Sequence, residues 1–142
     1  MFKDRFDEFL PPYRLHLGFG NIKLESFCNV DALETIAADV IDDIRVLSRF
    51  TNGSAKEIYA CQVLERFSRE EVQPLLKRWL EVLAPGGVLR ISVPDIDQIF
   101  CIYYKNLAYF RSRGVAPWIE LIYGGQSTHY DFHKTGFSAS WL

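Results

Sequence analysis

The chain has 142 residues, of which 49% are hydrophobic and 24% charged, and its formal net charge is −2. This is the composition of a globular domain with a sizeable core, and it excludes a disordered chain. The balanced charge and the lack of a basic run argue against nucleic-acid binding. No apolar run is long enough to suggest a membrane span, and the charged N-terminal segment MFKDRFDEF argues against a secretory signal.

The first half of the chain is predicted to contain four short strands. A short helix is expected at 3–10, where Pro11 and Pro12 stop it. Alternation of apolar and polar residues, bounded by turn residues, predicts strands at 13–18, 27–31, 38–41 and 55–60.

The clearest predicted helix follows the fourth strand. Ser68 and Glu71 have the S-x-x-E spacing of a capping box, which satisfies free N–H groups of the first turn. One apolar face then repeats at helical spacing, formed by Val72, Leu75, Leu76, Trp79 and Leu83. Pro74 is expected to bend the helix, and the segment APGG at 84–87 is expected to end it before a fifth strand at 88–93.

The last third of the chain is predicted to be helical and then rich in turns. One helix is expected at 95–114, a second beginning at Pro117 and a third near Ser138. The tail YGGQSTHYDFHKTGFSASWL carries most of the turn residues and many aromatic ones. Strands that alternate with helical or loop crossovers predict an α/β fold with a mostly parallel sheet, in a single domain over 1–142.

Cysteine usage indicates the redox compartment. Cys28, Cys61 and Cys101 are widely spaced and form no C-x-x-C pair. A sparse, odd set of cysteines favours free thiols over a disulfide or zinc framework. We therefore expect a reducing compartment and a cytoplasmic location.

The ends of the first three predicted strands carry glycine and acidic residues. In an open parallel sheet, ligands bind at the carboxyl ends of the strands near the point where the strand order reverses. Gly18 and Gly20 would let a ligand touch the backbone, and Asp31 would accept hydrogen bonds from ribose hydroxyls. Asp42 and Asp43, after the third strand, would face an exocyclic amine. The alternative for the same residues is an ordinary strand–turn with capping or solvated acids.

The glycine pattern disfavours a dinucleotide. A dinucleotide site needs G-x-G-x-x-G followed by a helix N-terminus for the pyrophosphate. Lys23 occupies the place of the third glycine, and the segment NIKLES is a poor helix start. A nucleoside without a pyrophosphate fits better, and a dinucleotide oxidoreductase is the weaker hypothesis.

Three blocks carry a resemblance to a known family: RLHLGFGNIKLESFCNVD, KEIYACQVLERFSREEVQPLLKRWLEVLAPGGVLRISVPD and YGGQSTHYDFHKTGFS. They resemble segments of the class I S-adenosylmethionine-dependent methyltransferases, in their type 11-like group. The first block is similar to the family's glycine loop with its ribose-binding acid. The second is similar to its V-L-E-H-F segment with the following helix and strand, and the third to a segment over the active site. The resemblance implies a Rossmann-like fold. It also implies that the cofactor S-adenosylmethionine methylates a small-molecule or glycan-type acceptor.

The resemblance further implies which residues hold the cofactor. These are Gly18, Phe19, Gly20 and Asn21 at the methionine moiety, Asp31 at the ribose, Asp43 with Ile44 at the adenine edge, and Cys61 with Gln62 beside the sulfonium. A cationic sulfonium and a neutral adenosine require acids and backbone groups, which agrees with the missing phosphate cradle.

The chain departs from the family pattern in three places. Phe19 replaces a small cysteine of the glycine loop, and Gln62 and Arg66 stand where relatives often have histidines. The sequence also stops soon after HKTGFS, where relatives continue into a C-terminal strand pair beside the fifth strand. We therefore expect either a shortened enzyme or a non-catalytic cofactor-binding or interaction module.

A fifth strand without that pair would have a bare edge, which proteins usually cover. Its segment VLRISV is apolar on successive positions, as expected for a strand covered on both faces. We expect a homodimer or higher oligomer in which the region 88–142 contributes to the interface. Trp141 and Leu142 would be buried there.

Candidate bases lie in the tail, where His129, Asp131 and His133 are predicted as catalytic residues. A histidine that titrates near neutrality suits removal of a proton from a hydroxyl nucleophile. The alternative is that these are surface-loop residues bonded to backbone. A metal pair at the H-x-x-x-H spacing would need a helix, which Gly136 opposes, so no metal site is predicted. His16 is expected to be a satisfied core or edge histidine.

Overall fold

The computed structural model describes residues 3–34, 38–114 and 116–140. Its strands are β1 (Tyr13–Leu17), β2 (Cys28–Asp31), β3 (Val40–Ile41), β4 (Ala55–Cys61) and β5 (Leu83–Ser92). Its α-helices are α1 (Arg69–Val82), α2 (Ile96–Lys105), α3 (Leu107–Arg113) and α4 (Pro117–Tyr123), and short 3-10 turns lie at Phe6–Glu8 and Leu64–Arg66. Five strands and the helix after the fourth strand are present as predicted.

The five strands form one sheet in the order β3-β2-β1-β4-β5, and every pairing is parallel. The chain builds outwards from β1 to β3 on one side and then returns to place β4 on the other side of β1. The order therefore reverses beside β1, where ligands bind in folds of this kind. The coarse prediction of an α/β, Rossmann-like parallel sheet is confirmed.

Helix α1 covers one face of the sheet. Its predicted capping box is present, since Ser68 Oγ accepts from Glu71 N and the Glu71 carboxylate accepts from Ser68 N. Leu75, Trp79 and Val82 are buried on its inner face, against apolar side chains of β1, β2 and β4. Leu75 and Trp79 of the predicted apolar stripe are therefore buried and Val72 and Leu76 partly so, whereas Leu83 begins β5 and Val82 takes its place on the helix.

The opposite face of the sheet is polar. His16 lies in register with Asn29 and with Tyr59, so these three side chains share that face. The connection from β1 to β2 is an irregular loop rather than a helix, and its residues Phe19 and Phe27 pack their rings against His16. As predicted, His16 is a satisfied core residue, because it is buried and its Nδ1 lies 3.1 Å from Asn29 Oδ1.

Two predicted helices differ in the structure. The predicted helix at 95–114 is divided at Asn106, whose backbone leaves the helical region and whose Nδ2 donates to Ile102 O at 2.8 Å. The predicted helix near Ser138 is absent from the described residues, where 139–140 form a turn. The expected helix at 3–10 is reduced to the 3-10 turn Phe6–Glu8.

The segment at 84–87 also behaves differently from the prediction. Helix α1 ends at Val82, and Pro85, Gly86 and Gly87 lie inside β5 rather than in a turn before it. Gly86 has φ +78° there, and the pairing register with β4 shifts between Ala55 and Glu57. The glycines therefore form an irregularity within a longer strand.

Strand β5 is an edge strand in the described part of the chain, since it pairs with β4 alone. Its residues alternate between half-buried and exposed, with Val88 44% exposed. The prediction that β5 is covered on both faces is therefore wrong. Trp141 and Leu142, predicted to be buried, lie outside the described residues. Where the structure is described, no helix has the length and apolar character needed to cross a membrane.

Candidate functional site

Two adjoining cavities open at the carboxyl ends of the strands. One, of about 440 Å³, is lined by the last residue of β3 and the residues that follow it, Ile41 to Arg45, and is called the β3 lobe. The other, of about 580 Å³, is lined by the loop that follows β1 and by the end of β4, and is called the glycine lobe. Gly18, Asp31, Arg66 and Tyr130 line both cavities, so the two lobes form one cleft.

Two glycines shape the turn at the end of β1. Gly18 has φ +60°, and a Cβ there would lie 2.9 Å from Val63 Cγ2, so a larger residue would be strained and crowded. Gly20 has φ +58° and open space where its Cβ would be. The N–H of Gly20 donates to Asp31 Oδ2 at 3.3 Å, which ties this turn to the end of β2. The predicted glycine loop thus lines the cleft, together with Phe19 and Asn21.

Asp31 lies at the junction of the two lobes and is only 9% exposed. Its Oδ1 accepts from Leu33 N at 3.0 Å, and its Oδ2 accepts from Gly20 N. Each ionised carboxylate oxygen has about two acceptor sites, so both oxygens keep capacity for a further donor. The side chain can therefore hold the loop and accept hydrogen bonds from a ligand at the same time.

The predicted acids after β3 are partly engaged by the protein. Asp42 accepts from Ser48 Oγ and from the backbone N–H of Arg49, both at 3.1 Å, and so holds the loop that follows β3. Asp43 is bound by the guanidinium of Arg45, with Nη2 to Oδ2 at 2.6 Å. That hydrogen bond holds the pKa of Asp43 below its usual range, so Asp43 is ionised at neutral pH. Ile44 is buried and lines the lobe beside it.

The end of β4 contributes a strained residue. Gln62 has φ +56°, a conformation that residues other than glycine rarely adopt, and its N–H donates to Ser92 O at 2.8 Å. Such strain is concentrated at functional sites. Gln62 and Cys61 both line the glycine lobe, as does Tyr59, whose pKa is raised by a hydrogen bond with the Cys61 thiol.

The tail covers the mouth of the cleft. His129 lines the β3 lobe, and its ring centroid is 3.7 Å from that of Tyr130. Asp131 lines the glycine lobe, and its Oδ1 is 3.6 Å from Arg66 Nη1. A hydrogen bond from Ser127 lowers the pKa of Asp131, which makes it a weak base at neutral pH.

The structure places His133 outside both lobes. Its Nδ1 lies 3.1 Å from Leu121 O, and its Nε2 lies 3.8 Å from Glu65 Oε1. Burial lowers the pKa of His133 below its ordinary value. The three predicted bases are therefore not brought together, because only His129 and Asp131 face the cleft.

Four residues in or beside the cleft were not predicted from the sequence as site residues: Arg66, Tyr59, Tyr130 and Glu65. Arg66 lies at the junction of the lobes. In the sequence it is notable only because it stands where members of the resembled family often have a histidine. Tyr130 stands between two predicted bases but carried no signal of its own. Glu65 is buried directly beneath the tail, a position that no local pattern indicates.

The charge of the glycine lobe favours a cation. Among the described residues that line it, Asp31 and Asp131 are acidic and Arg66 is basic, which leaves one net negative charge. His16 also lines this lobe, but burial lowers its pKa, so it is neutral at neutral pH. A ligand that carries one net positive charge would be complementary to this wall.

No protein-family model matches the sequence, and no curated protein matches it significantly.

Proposed function

We propose that the protein binds S-adenosylmethionine in this cleft and transfers its methyl group to a small-molecule or glycan-type acceptor. The observation that carries the proposal is the junction of the two lobes, where the Gly18 turn and the Asp31 carboxylate meet beside the reversal of strand order. A carboxylate at this position suits ribose hydroxyls.

The lobes suit the two ends of the cofactor. With the ribose at Asp31, the adenine would occupy the β3 lobe between Ile44 and Asp43, and the methionine would lie in the glycine lobe. S-adenosylmethionine carries a sulfonium, an α-amino group and a carboxylate, hence one net positive charge. That charge complements the net negative charge of the glycine lobe, and Arg66 is the one permanent cation among the described residues there available to the carboxylate.

The chemistry requires little from the protein beyond position. S-adenosylmethionine, when bound, supplies a methyl group activated by a sulfonium. His129 lines the β3 lobe, next to Tyr130 at the junction of the lobes, and would take the proton of an acceptor hydroxyl or amine bound at that junction. Asp131, held ionised by Ser127, would act through its charge on a nearby cation rather than as a base.

Calorimetric titration tests the proposal. S-adenosylmethionine and its demethylated product, S-adenosylhomocysteine, should both bind, and NAD should not, since the cleft has no pyrophosphate cradle. If neither adenosyl ligand gave binding heat or a thermal shift at millimolar concentration, the glycine loop would be an ordinary turn and not part of a cofactor site.

A second candidate is a module that binds the cofactor without transferring its methyl group. One observation favours it: of the three predicted bases only His129 is available as a base in the cleft, because the lowered pKa of Asp131 makes it a weak base and His133 lies outside both lobes. Binding of both adenosyl ligands without methylation of any acceptor in a broad panel would support this candidate.

A further inference from the structure

Glu65 is a buried acid on which the tail rests. It lies in the 3-10 turn Leu64–Arg66 and is 1% exposed. Its backbone oxygen accepts from the N–H groups of Lys134 and Thr135, at 2.8 and 3.1 Å. The segment at 124–137, called the tail segment, is thereby fixed to the turn after β4. Neither oxygen of the Glu65 carboxylate accepts a hydrogen bond from another residue.

His133 of the tail segment faces that carboxylate. Its Nδ1 is 3.1 Å from the carbonyl oxygen of Leu121, which can only accept, so the neutral ring carries its proton on Nδ1. Its Nε2 then presents a lone pair towards Glu65 Oε1, 3.8 Å away. At 3.8 Å the two acceptors form no direct hydrogen bond, but a buried carboxylate without a donor is costly, so the pair favours one bound proton, either on the carboxyl group or on the ring.

We propose that Glu65 and His133 share one proton, and that this pair seats the tail segment as the wall of the cleft. Glu65 is a positioning residue in this arrangement, because it acts through His133 on the segment that carries His129, Tyr130 and Asp131. The seating is a property of the chain itself and requires neither a ligand nor the proposed methyl transfer.

The surrounding charges determine how the pair titrates. Burial raises the pKa of Glu65 to about 7 and lowers that of His133. Arg66, next to Glu65, lowers both pKa values, whereas Asp131 raises that of His133. Lys134 is directed to Glu71, with Nζ to Oε2 at 3.8 Å.

Seating should therefore weaken as the pH rises. Once the tail segment is released, Glu65 would titrate near its ordinary pKa, so the seated state binds its proton more tightly. The resulting stabilisation is complete below the ordinary pKa and is lost as the pH rises through about 7. His133, with its lowered pKa, titrates in the opposite sense up to its ordinary pKa near 6.5, so between pH 6 and pH 8 it offsets part of the change due to Glu65.

Amide hydrogen exchange tests the proposal without a ligand. The protection of the Lys134 and Thr135 amides, corrected for intrinsic exchange rates, should fall about two- to threefold between pH 6 and pH 8, because the loss of about tenfold due to Glu65 is partly offset by His133. In Glu65→Gln the side chain is neutral and can donate to His133 Nε2, so only the contribution of His133 remains and the protection should rise roughly three- to fourfold. Glu70→Gln makes the same chemical change at an exposed position and should follow the wild type. A flat wild-type profile, or an unchanged fall in Glu65→Gln, would overturn the proposal.

A measurement on the wild type keeps the test independent of the variant's folding. Carbon-13 and nitrogen-15 NMR titration should give Glu65 a pKa near 7 and the neutral His133 ring the Nδ1–H tautomer. An ordinary glutamate pKa, or a proton on Nε2 of the neutral ring, would overturn the shared proton whether or not the cleft binds S-adenosylhomocysteine.

Discussion

Asp31 combines two tasks in one side chain, because it holds the glycine turn through Gly20 and lies where the two lobes meet. Removing its carboxylate would leave two ribose hydroxyls of a bound adenosine without acceptors in a largely buried place. We expect Asp31→Ala to weaken binding of S-adenosylhomocysteine by roughly 1–3 kcal/mol. Calorimetry measures this loss.

Asp31→Asn removes the charge and keeps one acceptor oxygen, which can accept from Leu33 N or from Gly20 N but not from both. It should bind with an affinity between those of the wild type and Asp31→Ala. If Asp31→Ala retained full affinity for S-adenosylhomocysteine, the ribose would not lie at this carboxylate.

Arg66 is the residue that should distinguish the two ends of the ligand. Its guanidinium is the only permanent cation among the described residues of the glycine lobe, and it has one long ion pair, to Asp131 at 3.6 Å. If it holds the carboxylate of the methionine moiety, Arg66→Gln should weaken S-adenosylhomocysteine about tenfold or more, by loss of a charge-assisted hydrogen bond. The affinity for 5′-methylthioadenosine, which lacks that carboxylate, should change little.

Arg45 provides the matched control for this charge change. It lines only the β3 lobe, and its guanidinium is already bound to Asp43. Arg45→Gln should affect S-adenosylhomocysteine and 5′-methylthioadenosine equally. Equal losses for both ligands in Arg66→Gln as well would mean that Arg66 contributes only general charge to the cleft.

At the scale of elements, helix α1 holds the loop that forms the β3 lobe. Arg78 donates to the carbonyl oxygens of Val46, Leu47 and Phe50, at 2.6, 3.1 and 2.8 Å. At the next position of the helix, the indole N–H of Trp79 donates to Ile44 O at 2.8 Å. The helix that packs the core thus also fixes the wall on which the proposed adenine would lie.

We therefore expect Arg78→Met, which keeps much of the aliphatic stem, to destabilise the fold by about 1–3 kcal/mol through three unpaired carbonyl groups. It should also weaken 5′-methylthioadenosine, which depends on the adenine wall. Urea unfolding and calorimetry measure the two effects. Lys77→Met changes the neighbouring exposed side chain and should leave both quantities near their wild-type values. Unchanged stability in Arg78→Met would show that the loop is held by the Trp79 contact instead.

The elements that could be predicted from sequence are those that local signals specify. The capping box at Ser68, most of the apolar stripe of α1 and the strand β1 depend on neighbouring residues only and are present, although Leu15, His16 and Leu17 are all buried and β1 shows no alternation of burial. The irregularity at 84–87 depends on cross-strand contacts that have no local pattern, whereas the division at Asn106 involves a local side-chain contact to Ile102 O that the apolar periodicity does not reveal. Predictions from sequence fail where the backbone follows tertiary contacts.

Residues of the candidate site could likewise be predicted only where local sequence patterns specify them. Glycine spacing and a strand-terminal acid identify the rim formed by Gly18, Gly20 and Asp31, because the parallel topology brings strand ends together. The position of His133 depends on how the tail segment lies on Glu65, nearly seventy positions earlier in the chain. Nothing in the sequence around His133 indicates that partner.

At the scale of the whole molecule, two apolar surfaces lie close together in sequence. The edge strand β5 exposes Val88, and the helices after it expose Phe100, Ile102, Tyr104 and Tyr109. Within these helices Tyr103, Phe110 and Trp118 pack on one another, with ring centroids of Tyr103 and Trp118 4.3 Å apart. The helices therefore share a cluster of half-buried aromatic rings. They still leave a large apolar outer surface, which commonly marks an interaction site.

The proposed homodimer would cover this surface, so that two copies meet through β5 and helices α2–α4. Sedimentation equilibrium over a wide concentration range should show a dimer for the wild type. Val88→Lys and Tyr104→Lys place a charge on the exposed surface and should weaken the dimer at least about tenfold each, since an unpaired charge would be buried on association. Leu10→Lys introduces the same charge at a site that is 82% exposed and remote in sequence, and it should leave the dimer intact. A strictly monomeric wild type at high concentration, or equal weakening by all three variants, would contradict an interface at this surface, because a specific contact depends on where the charge is placed.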